Sequence, residues 1–180
     1  MMAIKSCIMD NILFKSRGIT IAPFSRKHLL PVFDDICEEN KTEFSDLYEQ
    51  DIFEALLSAV DQPDIFVVNY KNKPMALMGL QGIDSQNGML WSLFTNHFKE
   101  NKTKFYRVSP DLIDFYHTHY YQLHVNTWVR NKGIIQWLAW LGFNIDQIED
   151  TEENKTFVHF VRCNPNRKNV YALSSRPVMH

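Results

Sequence analysis

The chain has 180 residues, is 45% hydrophobic and 13% aromatic, and carries a formal net charge of −2. These values suit one packed domain with a sizeable core and exclude a disordered chain. They give no electrostatic case for nucleic acid or an anionic membrane surface as a partner.

Cys7, Cys37 and Cys163 are odd in number and form no C-x-x-C. This spacing argues against a disulfide framework or a structural zinc site and suits a reducing cytoplasm. In "MMAIKSCIMDNILFKSRG" the apolar residues are interrupted by Lys5, Asp10 and Asn11, too early for a signal-peptide core. No run reaches the roughly 18 apolar residues a membrane span needs. Residues 1–18 therefore read as an N-terminal extension.

"GITIAPF" (18–24) alternates as a strand does. A helix is expected from Ser25, with Leu29, Leu30, Val32, Phe33 and Ile36 inward. "FSDLYEQDIFEALLSAVDQP" predicts a second helix, capped near Ser45 and ended before Pro63. "DIFVVNY" and "MALMGLQGI" read as a hairpin across the polar turn "KNKP", and "GMLWSLFTN" as a further strand. Ser109-Pro110 is a cap followed by a first-turn proline, so a helix is expected from there to about Gln122.

Residues 124–130 favour a strand through Val125, Thr127 and Val129. Asn131 is expected to cap the next helix with its side-chain oxygen. Ile134, Ile135, Leu138 and Leu141 form its apolar stripe, Gly142 ends it in the left-handed conformation, and Phe143 packs back. On the helical wheel Trp137 lies at the edge of the stripe and Trp140 nearer solvent. "IDQIED" and "KTFVHFVR" close the fold as strands. The order β-α-α-β-β-β-α-β-α-β-β gives an α/β fold, a mixed sheet with helices on both faces. Residues 163–180 lack periodicity and read as an irregular tail.

Other patterns have bland readings. "ENKT" recurs at 39–42, 100–103 and 153–156, but the flanking apolar patterns differ, so it is expected to be turn chemistry rather than a duplication. His117, His119 and His124 lack the i, i+4 spacing of helical metal pairs, so no metal site is expected and half-exposed histidines are. Cys37 and Cys163 have no base fixed by spacing and read as plain thiols. Glu38, Glu39, Glu43 and Asp46 could supply a general base or simply form a solvated helix face. Trp91, Trp128, Trp137 and Trp140 read as core and partner surface, with Trp140 the expected contact for a protein partner.

The element order, with Asn131 and Gly142-Phe143 in "RNKGIIQWLAWLGF", resembles the GNAT-type N-acetyltransferase fold. Over residues 19–162, "LWSLFTN" and "KFYRVSPDLIDFYHTHYYQLHVNTWVRNKGIIQWLAWLGF" are similar to a GNAT-like family of short-tailed phages. That family includes proteins described as internal virion protein or internal core protein A. The resemblance implies acetyl-CoA as the cofactor of any enzyme of this type, with Asn131 as a candidate contact. It also implies a Q/R-x-x-G-x-G/A turn for the coenzyme A diphosphate and a tyrosine seven residues after the helix-opening Asn.

Here 95–111 contains no glycine, leaving Lys99, Lys102, Lys104 and Arg107 as charges for a diphosphate, and the tyrosine position is Leu138. Tyr116, Tyr120 and Tyr121 are the possible substitutes. These departures lead to the expectation of a catalytically degenerate GNAT-like phage protein with no cofactor, acetyl-CoA entering only if an enzyme alternative holds. It would have an assembly or internal virion role among virion or host proteins, in the host cytoplasm or packaged in the virion. The alternatives are an acyl-CoA-dependent N-acetyltransferase acting on a small amine or protein, and a host-factor-binding protein.

Overall fold

A computed structural model describes residues 12–47, 51–150 and 156–166. Its elements run β1 (Phe14–Ser16), β2 (Ile19–Pro23), α1 (Arg26–Asp35), α2 (Glu38–Leu47), α3 (Ile52–Ala59), β3 (Ile65–Tyr70), β4 (Lys73–Gly82) and β5 (Asn87–Phe94). Then follow α4 (Asn96–Tyr116), β6 (Gln122–Trp128), α5 (Lys132–Trp140), β7 (Asn144–Asp150) and β8 (Thr156–Cys163). Among the described residues the strands form one mixed sheet in the order β1-β2-β3-β4-β5-β6-β8-β7. Every residue from Met75 to Leu80 in β4 is buried, as a strand covered on both faces must be. The α/β class and the mixed sheet follow the sequence reading.

Two compact units divide the chain, one up to Gly79 together with Ser92–Val108, the other Leu80–Trp91 together with the chain from Ser109. In the first, β1 to β4 are antiparallel neighbours. The β3–β4 hairpin turns on Lys71 and Asn72, with Tyr70 facing Lys73 and φ of 51° and 62° at the two turn residues. Two left-handed residues make a turn whose twist matches that of the strands, so the hairpin read from "KNKP" forms tightly. In the second unit, β6 pairs in parallel with β5 from Asn87↔Gln122 to Leu90↔Val125, and in antiparallel with β8 along its whole length.

Several elements differ from expectation. Phe14–Ser16, inside the expected extension, pairs with β2. Leu30 points outward at 58% exposure, because Leu29, Val32 and Ile36 fill the inner face of α1. The expected second helix is two, and the cap is Asp51, not Ser45: its carboxylate accepts from the N–H of Phe53 at 2.8 Å and of Glu54 at 3.0 Å. The helix expected from Ser109 begins instead at Asn96. Phe105, Val108, Leu112 and Tyr116 form a buried stripe that carries it through Pro110. The first "ENKT" segment is helical, in α2, and the second spans a break within α4 at Asn101; the third lies mainly outside the described residues. Gly142 has φ +82°, Gly142 N–H donates to Ala139 O, and Phe143 N–H donates to Leu138 O, both at 3.0 Å. This Schellman closure is the glycine stop expected of α5. Of the expected tail, Cys163 ends β8 and residues 167–180 lie outside the described ones.

Candidate functional site

The polar features converge in the first unit, where β5 ends and α4 begins. Thr95 N–H donates to Met75 O at 3.0 Å, so Thr95 faces β4. Strand alternation then turns the backbone groups of Phe94 to the opposite edge. There the start of α2 meets them: Cys37 N–H donates to Phe94 O at 3.1 Å, and the Asn40 side-chain oxygen accepts from Phe94 N–H. Asn40 is buried, and its Nδ2 reaches Glu43 Oε2 at 3.5 Å.

Thr95, fully buried, leads into α4. Its hydroxyl donates to Pro74 O at 2.9 Å and accepts from Phe98 N–H at 3.3 Å. Asp35, at the end of α1, accepts from His97 N–H at 3.0 Å. A carboxylate of the chain itself thus occupies an amide at the positive end of the helix. Phe94, Phe98 and Phe105 pack beneath, with ring centroids 4.3 to 5.8 Å apart.

One turn later the helix breaks. Asn101 has φ −124° and ψ 22°, outside the helical region, and its Nδ2 donates back to His97 O at 3.0 Å. A second helical run therefore starts at Lys102, inside the stretch where the GNAT resemblance implies a glycine turn. Lys102, Lys104 and Arg107 are exposed along it. Lys99 is ion-paired with Glu39 and so is engaged within the chain.

The acidic candidates separate by environment. Lys99 holds the Glu39 carboxyl below its ordinary pKa, and Glu38 pairs with Lys41 at 2.8 Å. Burial raises the pKa of Glu43, opposed by its hydrogen bond from Asn40. Of these carboxylates Glu43 is the one whose basicity burial raises, the direction a general base needs. The side chain of Asp46 lies outside the described residues. Burial pushes the Cys37 thiol up, away from nucleophilic use.

In the second unit Asn131 precedes α5 with φ −84° and ψ 60°, and its side chain makes no capping hydrogen bond. The expected side-chain cap is absent: that backbone conformation differs from the extended one an N-cap adopts, and the Asn131 carbonyl starts the helix by accepting from Ile135 N–H at 3.0 Å. Leu138 is buried and offers no proton. Tyr116 is fully buried, with its hydroxyl pKa pushed up by desolvation, which removes it as a donor. Tyr120 is wedged over Gly82 and Gly88, where a Cβ on Gly82 would meet its hydroxyl oxygen at 2.6 Å and one on Gly88 its ring at 2.5 Å. Trp137 is 9% exposed and donates from Nε1 to Ser109 Oγ at 3.2 Å, whereas Trp140 is 63% exposed.

The three histidines are not alike. His117 is buried rather than half exposed, and burial lowers its pKa. His119 is exposed, and His124 stacks on His159 with ring nitrogens 3.1 Å apart. Among the described residues no three or more His, Cys, Asp or Glu side chains could hold a metal ion together. Asp35, Asn40 and His159 carried no signal in the sequence. Asn40 and Phe94 are 54 residues apart, and only the fold brings such pairs together.

The sequence matches no family model and no curated protein. Solved structures do match. The chain is similar to a GNAT-family acetyltransferase from Bacillus anthracis, with a TM-score of 0.68 at 10% identity, covering 83% of this chain and 96% of that one. It is similar to the microcin C7 self-immunity acetyltransferase MccE in complex with acetyl-CoA and AMP, at 0.65 and 15%, covering 83% and 94%. A ribosomal L7/L12 α-N-protein acetyltransferase gives 0.65 at 9%, covering 87% and 96%. The chain has the GNAT acetyltransferase fold. At these identities the likeness establishes the fold, and the phage resemblance of the sequence gains no support from it.

Proposed function

We propose that this chain binds an acyl-coenzyme A and directs its acyl group to a primary amine, on a small molecule or a protein. The observation that carries the reading is the break of α4 at Asn101. It opens a new helix start at Lys102 beside exposed Lys102, Lys104 and Arg107. A helix start presents backbone N–H groups and partial positive charge, which with three cations is the chemistry a diphosphate requires. Asn101 stands where glycine is usual, so closer approach is limited and modest affinity is expected. When bound, the donor supplies an activated acyl thioester. Glu43, its pKa raised by burial, is assigned to take the proton from the attacking amine. The proton returned to the leaving sulfur comes from solvent. The acetyl-CoA in the MccE complex and the protein N-terminal acceptor in the name of the L7/L12 enzyme support this pairing of donor and acceptor.

A thiol-release assay with acetyl-CoA and a panel of polyamines and peptide amines tests the assignment. Activity that falls at least tenfold in Glu43→Gln supports it. Turnover unchanged by that substitution would remove Glu43 from the chemistry.

A second reading is favoured by Leu138 and by the amides of His97 and Phe98 already engaged by Asp35 and Thr95. In it the chain keeps the fold without the transfer and acts by binding proteins, with Trp140 as the contact, as an internal virion component of a short-tailed phage or a host-factor binder would. Absence of acetyl-CoA binding together with a partner lost in Trp140→Ala would select it.

A further inference from the structure

Strand β7 stands at the end of the sheet, paired on one side with β8 and with no strand on the other among the described residues. All seven of its residues are exposed. A bulge between Ile145 and Gln147 shifts the register so that Ile145 faces Phe160 and Ile148 faces Val158. Both isoleucines therefore lie on the same face as the buried Val158 and Phe160, yet they are 56% and 60% exposed. Bulges and charges guard an edge against self-pairing. Two uncovered isoleucines on one face do not serve that purpose; they are the apolar half of a contact.

The charge on β7 identifies the other half. Asp146, Glu149 and Asp150 are its only ionisable residues, and all are acidic. Antiparallel pairing with a second copy about Gln147 would set Asn144 against Asp150, Ile145 against Glu149 and Asp146 against Ile148. Each of the six carboxylates would then face an isoleucine or an asparagine with no cation opposite it, a poorer match than a basic strand, which disfavours the chain's own β7 as occupant. We propose that the free edge of β7 docks an extended basic segment of a partner protein by strand addition. Main-chain bonds would form to the open edge, apolar side chains would cover Ile145 and Ile148, and Lys or Arg would meet Glu149 and Asp150. This surface is independent of the acyl-transfer reading.

The test is fluorescence anisotropy of the full chain with a labelled octapeptide of alternating lysine and valine. Binding is expected to weaken as salt rises. It should fall at least tenfold in the Ile148→Lys/Glu149→Lys double variant, whose positions are exposed and whose fold circular dichroism would verify. It should fall equally on the unaltered chain when the peptide backbone is N-methylated at alternate residues. Absence of binding, equal binding by the double variant, equal binding of the methylated peptide or of a glutamate–valine peptide would each overturn the proposal. So would a dimer in light scattering that the double variant dissociates, since the edge would then belong to a second copy.

Discussion

Replacing Trp137 and Trp140 in turn separates the buried from the exposed side of α5. Trp137 is 9% exposed with its Nε1–H bonded to Ser109 Oγ, so Trp137→Ala removes a large buried ring and a buried donor together. Truncations of this kind cost about 3–5 kcal/mol, the ring accounting for most of it and a buried hydrogen bond for about 1 kcal/mol. For a chain of this length that corresponds to a fall in Tm of roughly 6–20 °C. Trp140, 63% exposed, has little more than a third of its surface covered, and Trp140→Ala should change stability by no more than about 1 kcal/mol. Trp137→Phe should recover most of the packing while still lacking the bond to Ser109, and so fall between the two. Urea denaturation followed by far-ultraviolet circular dichroism reads all three. Equal losses from both alanine variants would refute the placement of Trp140 on the open face of α5.

Asp51 caps α3 through two amide bonds, so Asp51→Ala should cost about 0.5–2 kcal/mol by urea denaturation, while Asp51→Ser retains most of it. Gly142 holds φ +82°, so Gly142→Ala should destabilise the chain by about 1 kcal/mol in the same assay, and Gly142→Asn by less. The folded-state pKa of Glu43 is raised, so the native chain holds this proton above the pH at which the unfolded chain releases it. Its contribution is most favourable below the unfolded pKa and declines as pH rises through the folded pKa. Glu43→Gln should therefore gain stability relative to the unaltered chain as pH rises through and above the ordinary carboxyl range, seen as diverging urea midpoints; a constant difference would contradict the burial of this carboxyl.

Local chemistry made much of the fold readable in the sequence. The Lys71-Asn72 turn, the Gly142 stop and the closing strands depend on residues close in sequence, and each lies where its chemistry points. Local cues misled where packing overrode them. Ser109-Pro110 has the composition of a helix start, but the stripe Phe105, Val108, Leu112, Tyr116 runs the helix through it. Ser45 has the composition of a cap, but α3 starts at Asp51. The candidate site was legible only as a stretch without glycine. Asp35 on His97, Asn40 on Phe94 and the break at Asn101 depend on contacts between distant segments or on backbone geometry, which spacing does not encode.

Calorimetric titration of the full chain with acetyl-CoA tests the central claim most directly, because it interrogates the donor site whatever the acceptor is. One molecule should bind per chain, at a micromolar to sub-millimolar dissociation constant, about −8 to −5 kcal/mol. Lys102→Glu/Lys104→Glu should weaken that affinity at least tenfold with no change in Tm. Heats indistinguishable from dilution at millimolar acetyl-CoA, or affinity unaltered in the double variant, would contradict a donor site at the break of α4.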